Sequence, residues 1–142
     1  MPKLEIQNFF DLSEAIELSS HLSNSLQTCK PFLFLRKQCL SSSFDGIIQA
    51  WNFKPNSRPF KFVGHKSAVH EIAYHPSGKF IASASQDETI IIWTNAVNYT
   101  RDLIKSHSGP VRTVSFNSDG QYLLSGSDDK TLKIWSLAER MH

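Results

Sequence analysis

The second half of the chain consists of short apolar segments separated by turn residues. The segments at 68–74 (AVHEIAY) and 79–85 (KFIASAS) each have the length of one strand, and a Pro-Ser-Gly turn separates them. After a second tight turn, the run at 89–93 (TIIIW) is β-branched, which indicates a strand buried on both faces. Upstream, 59–62 (PFKF) alternates as a half-exposed edge strand does. The pattern therefore predicts an all-β protein built from short strands.

These segments recur with a period of 42 residues. The three tryptophans, Trp51, Trp93 and Trp135, lie 42 residues apart, and residues 64–93 align without gaps on 106–135 with nine identities. Three further sets of residues keep the same step: Ser41, Ser83 and Ser125; Ser43, Ser85 and Ser127; and Asp45, Asp87 and Asp129. The chain therefore contains copies of one structural unit.

Each unit has room for four strands, because an edge strand precedes the other three. The edge strand at 59–62 has its equivalent at 101–105, and four antiparallel strands in about 42 residues are typical of a propeller blade. We predict a divergent first blade with an inserted segment in residues 1–53, a second blade in 54–95, a third in 96–137 and a tail at 138–142. Three units do not close a ring, and seven blades would need roughly 300 residues. We therefore expect the chain to be about three blades of a probable seven, within a longer protein.

The units resemble the repeats of the WD-repeat family. Gly64-His65 with Trp93, and Ser106-His107 with Trp135, match the Gly-His to Trp signature of that family, apart from the serine at 106. The aspartate that often follows the tryptophan is also replaced, by Asn52, Thr94 and Ser136. The resemblance implies a partial, four-stranded-blade β-propeller that serves as a rigid interaction platform.

The resemblance also implies a buried hydrogen-bond network of His, Ser, Asp and Trp in each blade. An aspartate in a tight turn can accept from backbone N–H groups and from an imidazole, while a serine hydroxyl can link the imidazole to an indole N–H. The second and third blades carry the full set, His65, Ser83, Asp87 and Trp93, then His107, Ser125, Asp129 and Trp135; the first blade retains Ser41, Asp45 and Trp51.

The same residue types could instead form a Ser-His-Asp catalytic triad. The G-x-S-x-G loop that would expose the serine beside an oxyanion hole is absent from the sequence. The constellation also occurs twice at a fixed period, whereas an enzyme needs one active site. We therefore predict a non-enzymatic protein with no catalytic residues.

The first unit departs from the other two. Before Cys39 the 42-residue register fails, and Ser23 occupies the place of the histidine. At an offset of 53, residues 9–16 align on 62–69, so the blade could begin near Phe9 and carry about 11 extra residues within 17–38. Real divergence and a reading-frame or splice error both explain this segment, and a short helix with Asp11 and Glu14 as its capping box is a further alternative.

The bulk properties exclude several other classes. Apolar residues make up 40% of the chain and charged residues 20%, and the net charge of +2 is too small to argue for nucleic acid. No secretory signal or run of about 20 apolar residues occurs, so we expect a soluble intracellular protein without a membrane partner. Cys29 and Cys39 lack metal-binding spacing, and His65, His70 and His75 fall on a loop, a strand and a turn. We predict neither a metal site nor a cofactor.

The junction between the first two units is similar to that of the centriolar WD-repeat family known as "proteome of centriole" proteins. In that family a Lys-Pro-x-Ser-Arg step leads through Phe-x-Phe-x-Gly-His-Lys into the second blade, as residues 54–66 do here. The resemblance implies a structural component of centrioles and basal bodies, in the cytoplasm and cytoskeleton, that supports centriolar microtubules and cilia. Its partners would be centriolar or microtubule-associated proteins, with tubulin among the candidates. A generic WD adaptor, as a substrate receptor or chromatin-associated platform, is the alternative.

Residues 46–70 contain only basic charges. Four residues, Lys54, Arg58, Lys61 and Lys66, are candidates for binding an acidic partner such as a tubulin tail. Ordinary solvated charge that also deters strand pairing at a sheet edge is the simpler explanation of these residues.

Overall fold

A computed structural model of the chain describes residues 26–32, 38–52, 58–94, 101–105 and 107–138. Every regular element within these ranges is a β-strand, which confirms the predicted fold class. The strands are β1 (Leu26–Phe32), β2 (Gln38–Ser43), β3 (Ile47–Asn52), β4 (Phe60–Val63), β5 (Val69–Tyr74), β6 (Phe80–Ser85), β7 (Thr89–Thr94), β8 (Arg101–Lys105), β9 (Val111–Phe116), β10 (Tyr122–Ser127) and β11 (Leu132–Ser136). None of the described segments is a helix of the length and apolarity that a membrane crossing requires.

The strands form three antiparallel sheets, as a partial propeller requires. Their orders are β1-β2-β3-β4 in the first sheet, β5-β6-β7-β8 in the second and β11-β10-β9 in the third. Each sheet is a simple meander, because consecutive strands are neighbours in space. Tight turns such as the one at 86–88 join the strands, as the sequence pattern predicts.

The sheets are displaced by one strand from the units of the sequence repeat. β4 begins the unit at 54–95, yet it pairs with β3 of the first sheet, where Ile48 faces Phe62. In the same way β8 pairs with β7, and Ile90 faces Ile104. Each repeat therefore contributes its first strand to one sheet and its other strands to the next, so the chain itself interlocks neighbouring sheets. The proposed limits of the units at 53/54 and 95/96 stay predictions.

The first sheet keeps the strand order of the second even where the sequence register is lost. β1 pairs with β2, with Phe32 opposite Gln38, so it takes the place that β5 has in the second sheet. Backbone pairing needs no particular side chain, which explains why a strand forms without the repeat signature. The region around Phe9, Ser23 and the capping-box alternative at Asp11 lies outside the described residues.

Two apolar layers hold the sheets together. Between the first and second sheets lie Leu40, Ile48, Ala50 and Phe62 from one side and Val69, Ile72, Ile81, Ile91 and Trp93 from the other. Residues at equivalent repeat positions form the second layer: Ala82, Ile90, Ile92 and Ile104 against Val111, Val114 and Leu123. The run Ile90-Ile91-Ile92 contributes to both layers, which confirms that β7 is buried on both faces. Burial of this apolar surface is the main contribution to stability.

Polar contacts also join the second and third sheets. His75 Nε2 lies 3.0 Å from the carbonyl oxygen of Gly120, while its Nδ1 accepts from the backbone N–H of Ser77 at 3.0 Å. Because Nδ1 accepts, the ring proton lies on Nε2 and is donated to Gly120. On β5, the Glu71 carboxylate accepts from the backbone N–H of Val114 at 3.1 Å. These bonds set the position of one sheet relative to the next.

Gly120 should be essential to the interface between the second and third sheets. Its φ of +77° is unfavourable for other residues, and a Cβ atom there would lie 2.0 Å from His75 Nε2. We expect Gly120→Ala to lower the free energy of unfolding by about 2 to 4 kcal/mol through backbone strain and overpacking. Urea unfolding followed by tryptophan fluorescence measures this loss. In a His75→Ala background the overpacking component should disappear, so an equal loss in both backgrounds would contradict the proposed contact.

Candidate functional site

The second sheet brings His65, Ser83, Asp87 and Trp93 together at one end. His65 lies in the loop before β5, Ser83 on β6, Asp87 in the turn after β6 and Trp93 on β7. Ser83 Oγ lies 2.6 Å from His65 Nε2 and accepts from the indole N–H of Trp93 at 2.8 Å. The other imidazole nitrogen, Nδ1, lies 2.9 Å from Asp87 Oδ2. The four side chains form one chain of hydrogen bonds from indole to carboxylate.

The third sheet repeats this arrangement. Ser125 Oγ lies 2.8 Å from His107 Nε2 and accepts from Trp135 Nε1 at 2.9 Å, and His107 Nδ1 lies 2.8 Å from Asp129 Oδ2. The serine hydroxyls lie at the same position in β6 and β10. The structure therefore places the eight residues that the family resemblance assigned to these two sheets in two equivalent networks.

The first sheet contains part of the network. Trp51 Nε1 donates to Ser41 Oγ at 2.9 Å, as in the other two sheets. Asp45 accepts from the backbone N–H of Ile47 at 3.0 Å and so stabilises its own turn. Ser23, which aligns with the histidines, is outside the described residues. Within the described ranges, the first sheet thus retains the serine-tryptophan bond and the aspartate turn as separate contacts.

Two threonines complete the networks, and both lie outside the set of residues that the family resemblance implied. Thr89 donates its hydroxyl and its backbone N–H to Asp87 Oδ1, and Thr131 does the same to Asp129. Both hydroxyls also lie near the Nδ1 atom of the histidine, at 3.3 Å and 3.1 Å. The sequence feature that could have identified them is the recurrence of threonine 42 residues apart, at Thr89 and Thr131.

Ser85 and Ser127 attach the histidine loop to the sheet. Ser85 Oγ lies 2.9 Å from the carbonyl oxygen of Ala68 and accepts from the backbone N–H of Asp87 at 3.2 Å. Ser127 makes the equivalent contacts with Pro110 and Asp129, at 2.9 and 3.1 Å. Their 42-residue repeat was visible in the sequence, but the carbonyl groups that they contact lie 17 residues away along the chain.

Burial and hydrogen bonding determine the protonation of the network. Burial lowers the pKa of His65, although the charge of Asp87 acts in the opposite direction. For Asp87, burial acts to raise the pKa, but hydrogen bonds from Thr89 and the Lys66 backbone together with His65 outweigh it and lower the pKa. The Thr131 hydroxyl is the strongest of several donors that hold the pKa of Asp129 well below its usual range. At neutral pH both aspartates are therefore charged and His65 is neutral.

The geometry identifies a structural role for the serines. A neutral His65 that donates from Nδ1 to Asp87 accepts a hydrogen bond from the Ser83 hydroxyl at Nε2, as in a catalytic triad. However, Ser83 and Ser125 have 0% of their surface exposed, and each hydroxyl oxygen already accepts an indole N–H. A buried hydroxyl that is engaged in this way cannot approach a substrate carbonyl. The network instead fixes a loop and a turn to the end of each sheet.

The candidate basic residues do not form part of these networks. Arg58, Lys61 and Lys66 are exposed, and Lys66 contacts the second network only by donating its backbone N–H to Asp87 at 2.9 Å. Lys54 lies outside the described residues. The side chains of Arg58, Lys61 and Lys66 are thus exposed on the segment that links the first two sheets.

The histidines have separate partners. His65 contacts Ser83 and Asp87, His70 lies 2.8 Å from Gln86 Oε1, and His75 contacts Ser77 and Gly120. Within the described ranges, no group of three His, Cys, Asp or Glu residues has the arrangement of a metal site. Each histidine has a structural role in its own position.

Comparison with known proteins identifies the class that this fold and these networks define. Residues 56–94 and 99–136 match the family model described as WD domain, G-beta repeat. Because the matches cover more than half of the chain, the chain belongs to the WD-repeat family. Repeats of this family generally form interaction platforms rather than enzyme active sites.

Several known proteins share these repeats. The chain is 31% identical over 78 residues to protein transport protein sec13 of Aspergillus clavatus, covering 50% of this chain and 26% of that protein. It is 32% identical over 90 residues to the p21-activated protein kinase-interacting protein 1-like protein of Xenopus laevis, covering 63% and 24%. It is 37% identical over 60 residues to the U4/U6 small nuclear ribonucleoprotein PRP4 of Saccharomyces cerevisiae, covering 39% and 13%. The chain thus spans about a quarter or less of these relatives, and none of the three has a centriolar name.

The two serine positions allow a matched test of the network. Ser83→Ala leaves the Trp93 indole and the His65 imidazole without their shared partner, so we expect a loss of about 2 to 4 kcal/mol in the free energy of unfolding. Ser41→Ala removes only the bond to the partly exposed Trp51 and should cost about 1 kcal/mol. Urea unfolding measures both. Equal losses would contradict the four-residue network in the second sheet.

The lowered pKa values predict acid sensitivity in two stages. Because the pKa of His65 is lower in the folded state than its ordinary 6.5, its stabilising effect is complete above about pH 6.5 and is lost as the pH falls below it. The pKa of Asp87 is also lowered in the folded state, so protonation of Asp87 should cause a second loss of stability below its ordinary pKa of 3.8. Urea midpoints measured from pH 8 to pH 3 should fall in both ranges, and Asp87→Asn should weaken the lower stage. Constant midpoints between pH 7 and pH 5 would contradict the assignment for His65.

Proposed function

We propose that this chain is part of a non-enzymatic WD-repeat scaffold of centrioles and basal bodies that binds an acidic protein partner through its first inter-sheet junction. The observation that carries the proposal is the exposure of Arg58, Lys61 and Lys66 on that junction. The same segment carries the resemblance to the centriolar WD-repeat family. A basic surface here is chemically matched to acidic segments such as tubulin tails.

The junction is suited to hold such a surface in place. β4, which carries Lys61, pairs along β3, and Phe62 between its neighbours is buried in the first apolar layer. Lys66 follows His65, whose ring is held by Ser83 and Asp87. The sheets and the second network therefore constrain the backbone on which the charges lie, which lowers the entropy cost of binding.

The alternative is a generic WD adaptor. The names of the relatives refer to protein transport, a kinase-interacting protein and a small nuclear ribonucleoprotein, so the same repeats serve several settings. An adaptor would use the same platform without the centriolar location.

Charge reversal tests the basic surface directly. We expect Lys61→Glu and Lys66→Glu each to weaken binding of a synthetic tubulin C-terminal tail peptide by up to about fivefold, with a weaker effect at high salt. Fluorescence anisotropy with the labelled peptide measures the affinity. Lys79→Glu is the matched control, because Lys79 is also exposed but lies in the turn between β5 and β6. Equal effects of all three substitutions would reject a specific basic surface.

Imaging distinguishes a centriolar scaffold from a generic WD adaptor. A tagged full-length product expressed in ciliated cells should concentrate at basal bodies if the centriolar assignment holds. A diffuse or nuclear signal with no focus at basal bodies would reject it and support the adaptor.

A further inference from the structure

The turn between β5 and β6 places an exposed serine against a buried histidine. The second sheet has the first sheet on one face and the third on the other, and Ser77 in this turn is exposed. Its Oγ atom lies 2.7 Å from Nδ1 of His75, which is only 8% exposed. Because Nδ1 already accepts from a backbone N–H, it carries no proton, and the Ser77 hydroxyl donates to it. In its exposure Ser77 differs from Ser83 and Ser125, which are fully buried.

Neighbouring groups hold the imidazole in this position. Nε2 of His75 donates to the carbonyl oxygen of Gly120 in the third sheet at 3.0 Å. The rings of Phe80 and Phe116 lie nearly perpendicular to the imidazole, with centroids 5.5 and 5.1 Å away. The imidazole is therefore fixed between Ser77 on one sheet and Gly120 on the next, so a change of charge at Ser77 acts directly on a contact between sheets.

The third sheet shows that the same turn position accommodates an anionic side chain. Asp119 is the equivalent of Ser77 at the 42-residue step. Its Oδ1 accepts from the backbone N–H of Gln121 at 2.9 Å and from the side-chain amide of Asn117. Ser77 Oγ makes the matching contact with the backbone N–H of Lys79, at 3.3 Å. A negative charge at Ser77 would therefore meet a backbone donor that matches the one holding a carboxylate in the next sheet.

Phosphorylation supplies such a charge. A protein kinase transfers the γ-phosphoryl group of a nucleoside triphosphate, so that a bond from Ser77 Oγ to phosphorus forms and the bond from phosphorus to the leaving diphosphate breaks. The hydroxyl proton can pass to His75 Nδ1, which already accepts it in a hydrogen bond. The products are a phosphate group with about two negative charges and an imidazolium, which attract each other across one hydrogen bond. The exposed Lys79 adds a second positive charge to the same turn.

We propose that Ser77 is a phosphorylation site, and that His75 and Lys79 hold the phosphate and thereby tighten the contact between the second and third sheets. An imidazolium donates a stronger hydrogen bond than a neutral ring, so protonation of Nδ1 strengthens the bond from Nε2 to Gly120. The gain outweighs the loss of the neutral contact between the Ser77 N–H and Nδ1, because each new bond involves a charged group. The site shares no residue with the basic surface at the first inter-sheet junction, and it does not depend on the centriolar role.

Mass spectrometry tests whether the site is used. Trypsin cleaves after Lys66 and Lys79 and so releases Ser77 in the peptide 67–79. In the tagged full-length product purified from ciliated cells, we expect this peptide to carry a phosphate on Ser77. A peptide that carries no phosphate at Ser77 would overturn the proposal.

A chain made with phosphoserine in place of Ser77 tests the effect on the sheets. We expect its equilibrium constant for unfolding, measured in urea at pH 7, to be about fivefold lower than that of the unmodified 142-residue chain. In a His75→Asn background, which gives this turn the residue that Asn117 provides in the third sheet, phosphoserine should give no gain. Phosphoserine in place of Ser118 is the matched control, because Ser118 is exposed in the third-sheet turn beside Asn117, and it should give no gain either.

The outcomes separate a held phosphate from an added surface charge. A gain at Ser77 that His75→Asn removes supports the proposal. No gain at Ser77, or a gain that persists with His75→Asn or equals that at Ser118, would overturn it.

Discussion

The structure depends on satisfying polar atoms at the buried end of each sheet. An indole N–H or an imidazole placed between packed sheets loses its water, and an unpaired polar group of this kind is costly. The hydroxyl of Ser83 satisfies both groups, because it forms hydrogen bonds with the Trp93 indole and with His65 Nε2. Asp87 forms a hydrogen bond with the other ring nitrogen of His65. The same solution in the third sheet allows two large side chains to pack where a loop and a turn meet.

The networks and the apolar layers act at different levels. Each network holds one sheet to its own loop and turn, whereas stability of the whole requires the apolar face of one sheet to be covered by the next. Ile90 and Val111 illustrate the second requirement, because they belong to neighbouring sheets and are both fully buried in one layer. β4 and β8 each complete the sheet that precedes the other strands of their repeat. The backbone therefore also connects the two sheets at each of these interfaces. Hydrogen bonds such as that from His75 to Gly120 then fix the relative position of the sheets.

The repeat made much of the fold and the core of the site accessible from the sequence. Strands such as 89–93 were visible in the apolar pattern, and the resemblance to the WD-repeat family implied that His65, Ser83, Asp87 and Trp93 form a set. Asp128 shows what the repeat leaves open. It takes the position of Gln86 in the 42-residue step, and the structure joins it to Arg112 through an exposed ion pair at 2.6 Å. Arg112 lies on β9 and Asp128 lies in the turn after β10, so no local pattern joins the two residues.

By itself, the sequence determined the class of fold and the repeat of its strands, and the resemblance to the WD-repeat family implied the residues of the buried networks. The repeat follows from local periodicity, because each unit must place the same polar groups and the same apolar face in the same positions. Only the tertiary structure decided that β4 and β8 complete the preceding sheet and that Glu71 and His75 bridge two sheets. Such features depend on which surfaces meet in space, and contacts between sheets leave no period in the sequence of either partner.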